Sequence, residues 1–265
     1  MVEYDYVFCV LVYRNVMDIK SFVNSVNKKV PNSKVVIVNS YYDDKTTDDV
    51  KKCSIELGCD FINVDNKGYG YGNNKGIEYI YDKYMFRYLV ISNPDIIIEG
   101  FLAEVDSLPK DKIIGPNIKT LDGKIQNPYW FLENHIGEFL LYIGFRYRLN
   151  VMKLIVFAIN KIIRLMSVLW YKNTGKTMFD VYALHGSFIV FPYNLVRTMM
   201  PVFDEEMFLF NEEAYLAYKA KKRKIKMCIN NKIRVLHKED GSMKLSNYNE
   251  SDLARKTFLH YFENR

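Results

Sequence analysis

The chain has 265 residues, 49% of them hydrophobic and 26% charged, with a formal net charge of +6. A globule of this size buries roughly 70–75% of its unfolded surface, so the composition excludes a disordered chain and allows one large domain or two small ones. The positive excess points to anionic partners without choosing between phosphate, nucleic acid and acidic lipid.

Cys9, Cys53, Cys59 and Cys228 show no paired metal spacing, and Cys9 lies in an apolar run where a reduced thiol packs as a small hydrophobe. A reducing cytosol is the expected compartment. Glu3 and Asp5 open the chain where an export signal needs basic residues.

Residues 6–13 form a continuous apolar, β-branched run, the pattern of a strand buried on both faces of a sheet. Ile19, Phe22, Val23 and Val26 then follow helical spacing over 18–30, and a second strand is expected at 34–38 after the Pro31-Asn32 turn. A helix over 47–57, a strand over 60–64, a glycine-rich turn, a helix over about 73–83 and a fourth strand over 87–92 complete the first hundred residues. This alternation predicts a Rossmann-like, mostly parallel sheet flanked by helices, with ligands outside the carboxyl ends of its strands.

Beyond residue 110 the rhythm changes. Strand signals occur at 112–118 and 181–191, and again at 224–229 with 233–236, while an acidic helix starts near Asn211 and the last twenty-five residues look helical. Residues 136–172 read as a basic amphipathic helix, broken in two: Arg146, Asn150, Lys153, Asn160, Lys161, Arg164 and Ser167 share one arc of the wheel. Its apolar stretches are far shorter than the ~18–20 residues that span a bilayer. The expected arrangement lies in the membrane interface, basic residues toward anionic headgroups and apolar face in lipid; core packing or a homodimer interface are the alternative uses.

Four constellations carry chemistry. Asn93-Pro94-Asp95 follows the fourth strand, where a carboxylate at the strand's end can hold a hard divalent cation across two phosphates. Asn66-Lys-Gly-Tyr-Gly-Tyr-Gly-Asn-Asn-Lys-Gly76 is a glycine-rich turn whose backbone can approach a polar ligand, but it is no dinucleotide fingerprint. Asn211-Glu212-Glu213 opens the acidic helix, where carboxylates serve as first-turn stabilisers or leave one free as a general base. His237 ends a strand and can ligate the same metal as Asp95.

In this order and spacing the four resemble the family 2 glycosyltransferases of the GT-A type, especially the bacterial rhamnosyltransferase-like branch. The resemblance covers most of residues 5–245 outside the insert. It implies a nucleoside pocket from Tyr13, Arg14 and Asn15 with Asn39 and Asp44, and a donor loop including Lys67, Gly70, Asn73 and Asn74. Asn93 and Asp95 match the family's metal motif, and His185-Gly186-Ser-Phe188 its donor and acceptor strand. Phe203-Asp-Glu through Asn211-Glu-Glu213 matches the segment whose last carboxylate is the base, and residues 235–242 match the closing Val-x-His-x-x-x-Gly-Ser. Asn39 stands where aspartate is frequent, the metal motif keeps one carboxylate, and Glu213 replaces an aspartate, which leaves Glu212 or Glu213 as the base.

The resemblance further implies an inverting transferase using Mn2+ or Mg2+. It would move a sugar from dTDP-rhamnose or a UDP-hexose to a saccharide or lipid-linked acceptor of bacterial cell-surface polysaccharide, at the inner face of the membrane. Residues 1–100 would bind the donor, 101–245 the acceptor, and 246–265 form a tail. An inactive nucleotide-sugar-binding or scaffolding protein of the same fold is the alternative. A Rossmann oxidoreductase is excluded by the absence of glycine from Tyr13-Arg14-Asn15. Nucleic acid is disfavoured because the basic residues are interleaved with aliphatics rather than stacking aromatics.

Overall fold

A computed structural model describes residues 3–102, 105–239 and 249–265. Its first half is built from β1 (Glu3–Val12), α1 (Val16–Lys29), β2 (Ser33–Ser40), α2 (Asp44–Glu56), β3 (Asp60–Val64), α3 (Tyr69–Lys83) and β4 (Met85–Ser92). These strands pair in parallel in the order β3-β2-β1-β4. That is the first part of a doubly wound sheet, whose order reverses between β1 and β4 and opens a crevice at their carboxyl ends.

The second half adds β5 (Ile96–Phe101), β6 (Lys112–Thr120), β7 (Met178–Val181), β8 (Phe188–Pro192) and β9 (Lys226–His237). Here the pairing is mixed: β8 lies antiparallel to β4, β6 parallel to β9, and β5 antiparallel to β9. Nine strands among the described residues thus form one sheet. Alternating side chains feed two cores. Phe8, Val10, Ile37 and Val90 meet Ile19 and Phe22 of α1 on one face; Val7, Cys9, Val36 and Leu89 meet Ile77 and Ile80 of α3 on the other.

Two differences from the sequence expectation bear on the site. The strand expected over 181–191 is split into β7 and β8, because residues 183–187 leave the ladder and turn along the site. The insert does form two helices, α4 (His135–Arg146) and α5 (Asn150–Asn173), but α5 is turned the other way round. Asn160 Nδ2 donates to Tyr129 O at 3.0 Å and Arg164 reaches Gln126 O, while Val151, Leu154, Ile162, Met166, Leu169 and Trp170 are each more than half exposed. The inner face of α5 is mixed: Val156 and Val168 are buried, and Asn160 and Arg164 turn to the polar 126–129 segment, where their amide and guanidinium find carbonyls.

The remaining helices are α6 (Tyr193–Met199), α7 (Glu212–Lys222) and α8 (Glu250–Glu263). Helix α8 lies within the last twenty-five residues and is tied to Asn211, Glu138 and Phe145 of the body; Asp240, Gly241 and Ser242 of the closing motif lie outside the described residues.

Candidate active site

Pro94 stops the β4 ladder, and the chain delivers Asp95, 2% exposed, to the carboxyl end of the sheet. The register pairs Ile96 with His237, and Lys238 N donates to Asp95 O at 3.0 Å, so the end of β9 is fixed beside Asp95. Asp95 Oδ1 lies 3.3 Å from His237 Nε2 yet has no hydrogen-bond partner.

The histidine's tautomer explains this. Gln126 Nε2 donates to Glu239 Oε1 at 2.8 Å, which turns Gln126 Oε1 toward His237 Nδ1 at 2.7 Å. Because Oε1 only accepts, Nδ1 carries the proton; in the neutral imidazole, the form a metal ligand must take, the Nε2 lone pair faces the carboxylate. In that form two lone pairs lie 3.3 Å apart in a buried site, an arrangement that a cation between them satisfies. Adjacent ligands on an octahedral Mg2+ or Mn2+ ion sit about 3 Å apart, so the pair fits such an ion. No cluster of three or more His, Cys, Asp or Glu gathers for a metal among the described residues. The other coordination positions therefore suit water and phosphate oxygens.

The second group is the pair of glutamates. Phe210 and Asn211 both take positive φ, 75° and 67°, in the turn that opens α7. Asparagine tolerates this conformation better than most residues and stands where the resembling family has glycine. Its amide is tied to Ala254 O and Thr257 Oγ1, at 3.1 and 2.9 Å, so α8 holds the turn. Glu213 Oε1 accepts from Gly186 N at 3.1 Å, whereas Glu212 Oε1 is buried without a partner. Burial raises the pKa of both carboxyls, and the charge of Glu213 raises Glu212 further. Backbone N–H groups reach both carboxylates, so the asymmetry lies in the charge of Glu213, which raises Glu212 above it and leaves Glu213 the holder of the pair's first negative charge.

Residues 185–187 join the two groups. Asn93 N donates to Ser187 O at 2.9 Å, and the His185 and His237 rings lie 5.7 Å apart. Asp95 and Glu213 therefore border one continuous stretch, Asp95–His237–His185–Gly186–Glu213. His185 Nδ1 accepts from Ser187 N at 3.2 Å, which leaves its proton on Nε2. Burial foremost, with the Arg164 charge nearby, pushes its pKa down to about 3, so it is a neutral donor. Sequence reasoning quoted His185 only within its strand and missed Gln126 and Glu239; a lone glutamine after a turn carries no motif.

At the other end of the crevice, the Arg14 guanidinium stacks 3.9 Å over Tyr42, and Tyr13 meets the same ring edge-on. Asn39 is 1% exposed; its amide donates to Asn63 and Thr47, and Oδ1 is left without a partner. Asp44 accepts from Tyr41 OH, while Asn15 is occupied with Asp18 as the cap of α1. Lys67 is exposed, paired with Asp65 at 3.3 Å.

The glycine-rich turn works differently from the reading that its backbone approaches a ligand. A Cβ on Gly70 would lie 2.4 Å from Asp204 O and one on Gly72 2.5 Å from Leu11 Cδ1, so these glycines let α3 press against β1 and the 203–208 segment. Asn73 donates to Tyr69 O, and Asn74 bonds Phe203 N, Phe203 O and Glu205 Oε1. Gly70 and Asn74 thus hold the segment leading to Glu213, while Asn73 bonds within α3 and meets Cys9 of β1; all three have protein as their partner. Gly186 alone of the glycines named at sequence level contacts Glu213.

No protein-family model and no curated protein matches the chain. Solved structures do. The chain is similar to GalNAc-T7 with UDP, GalNAc and Mn2+ at a TM-score of 0.66 and 12% identity, over 98% of this chain and 48% of that one. It is also similar to S. aureus TarS, at a TM-score of 0.56 and 14% identity, over 98% of this chain and 43% of that one. The TarS 1–349 structure gives a TM-score of 0.53 and 14% identity, over 98% and 71%. These are GT-A-type glycosyltransferases, and the chain has the GT-A fold; it spans about half the length of GalNAc-T7 and of full TarS.

Proposed function

We propose that the chain is an inverting glycosyltransferase using a nucleoside-diphosphate sugar. The observation that carries this is the unbroken run from the Asp95–His237 pair, fit for a divalent ion, to the buried Glu212–Glu213 pair, on a GT-A fold. The acceptor hydroxyl gives its proton to Glu213 and its oxygen bonds to the anomeric carbon. The anomeric carbon–phosphate oxygen bond breaks, and its electron pair leaves on the nucleoside diphosphate. When bound, the metal neutralises charge on that diphosphate. The neutral His185 N–H orients a sugar hydroxyl, Arg14 and Tyr13 with Tyr42 stack the nucleobase, and Asn39 Oδ1 accepts from a base N–H. A pyrimidine imide supplies such a donor, which favours a UDP- or dTDP-linked sugar.

In a thermal-shift screen of nucleoside diphosphates, UDP or dTDP with Mn2+ raises the melting temperature. No shift with any nucleoside diphosphate, with Mn2+ or Mg2+, removes the proposal.

The same reading places the protein on a membrane surface. No helix among the described residues is long and apolar enough to cross a membrane. Yet the outer face of α5 is apolar, and residues 139–179 hold seven lysines and arginines and no acidic residue. This combination suits the interface of an anionic bilayer, where a lipid-linked saccharide acceptor resides. Leu154→Glu with Leu169→Glu, both on that exposed face, abolishes flotation with anionic liposomes; unchanged flotation rules the contact out, and a dimer broken by the same change assigns the face to a second copy.

A further inference from the structure

Arg164 is a half-buried cation sent inward from the insert, where no carboxylate among the described residues pairs with it. Its Nη1 is 3.4 Å from Gln126 O, a neutral carbonyl, and its Nε is buried with no hydrogen-bond partner. It makes no ion pair among the described residues, and burial lowers its pKa, in keeping with a charge stripped of water and left uncompensated. Desolvating a guanidinium without a counter-anion is costly, so its retention calls for an anion arriving from outside.

Its surroundings say which one. Gln126, whose carbonyl it touches, is the residue whose side chain orients His237 toward Asp95, and the charge of Arg164 is felt by His185. The cation therefore stands near the pair suited to a phosphate-bridging ion, one residue, Gln126, lying between them. We propose that Arg164 binds the diphosphate of the nucleotide-sugar donor, so that the insert helix supplies part of the donor site. This rests on the transferase reading. Arginine's planar fork can hold two phosphate oxygens at once, and the interaction strengthens as the departing diphosphate gains the electron pair of the broken bond.

Calorimetric titration of full-length protein with UDP, dTDP, UMP and uridine in Mn2+ buffer tests it. R164Q is expected to weaken whichever nucleoside diphosphate binds by at least about tenfold, with a smaller loss for UMP and none for uridine. R164K, which keeps the charge but not the fork, falls between R164Q and wild type, and this separates lost recognition from misfolding. Lys161→Gln, an exposed cation three residues away, changes nothing. Wild-type binding with R164Q equal to it overturns the role of Arg164 alone. Wild-type protein that binds neither diphosphate overturns the transferase reading and this inference with it.

Discussion

Glu213→Gln is expected to lower transfer by about 10²–10⁴-fold while leaving donor affinity in place, because it removes the proton acceptor and keeps the shape. Glu212→Gln should behave oppositely. Both carboxylates receive backbone N–H groups, but Glu212 also leaves Oε1 buried without a partner and is raised by the charge of Glu213, so the pair's first negative charge settles on Glu213. Glutamine at 212 mimics a protonated neighbour, so transfer stays within about tenfold of wild type and the acid limb of the kcat profile does not move. That limb lies above the ordinary carboxylate range, since burial raises the Glu213 pKa, and activity climbs as pH rises through it. A pH profile of the two variants settles the choice: loss in Glu212→Gln with activity kept in Glu213→Gln would exchange their roles.

Raised carboxyl pKa values also carry a stability sign. A folded-state pKa above the unfolded one means that the native protein holds the proton more tightly, so stability is lost as pH rises through that window. The buried pair is thus held against a stability gradient, and the strained Phe210–Asn211 turn is held likewise, with α8 bonded to Asn211 as the brace.

The parallel half of the fold was legible because β1, β2 and β4 are continuous apolar runs, buried on both faces and bounded by turns. What lay beyond reach was whatever depends on a distant partner. Periodicity marked the polar stripe of α5 correctly but cannot say which side faces the body; the polar 126–129 segment decided that, and drew Asn160 and Arg164 inward. The glycines of the 66–76 turn were visible, yet their neighbours proved to be Asp204, Phe208, Leu11 and Cys9, contacts between elements remote in sequence. Asp95 and His237 could be named from strand ends. Gln126 and Glu239, which set the histidine's tautomer, come from loops and have no spacing to betray them.

Those two loop residues make the sharpest claim about the metal. Asp95→Asn removes an anionic ligand and is expected to cost about 10²–10³-fold in kcat, together with the Mn2+-dependent part of the thermal shift seen with nucleoside diphosphate. Gln126→Leu touches no ligand atom, yet Nδ1 loses its acceptor, the proton is free to move to Nε2, and Nε2–H then donates to Asp95 Oδ1 and closes the site. The expected result is a loss of about 10–100-fold in Mn2+ affinity, with nucleoside binding in metal-free buffer unchanged. If Mn2+ binds Gln126→Leu as it binds wild type, His237 is no metal ligand, and the buried lone pairs facing each other across 3.3 Å must be reconciled by a proton alone.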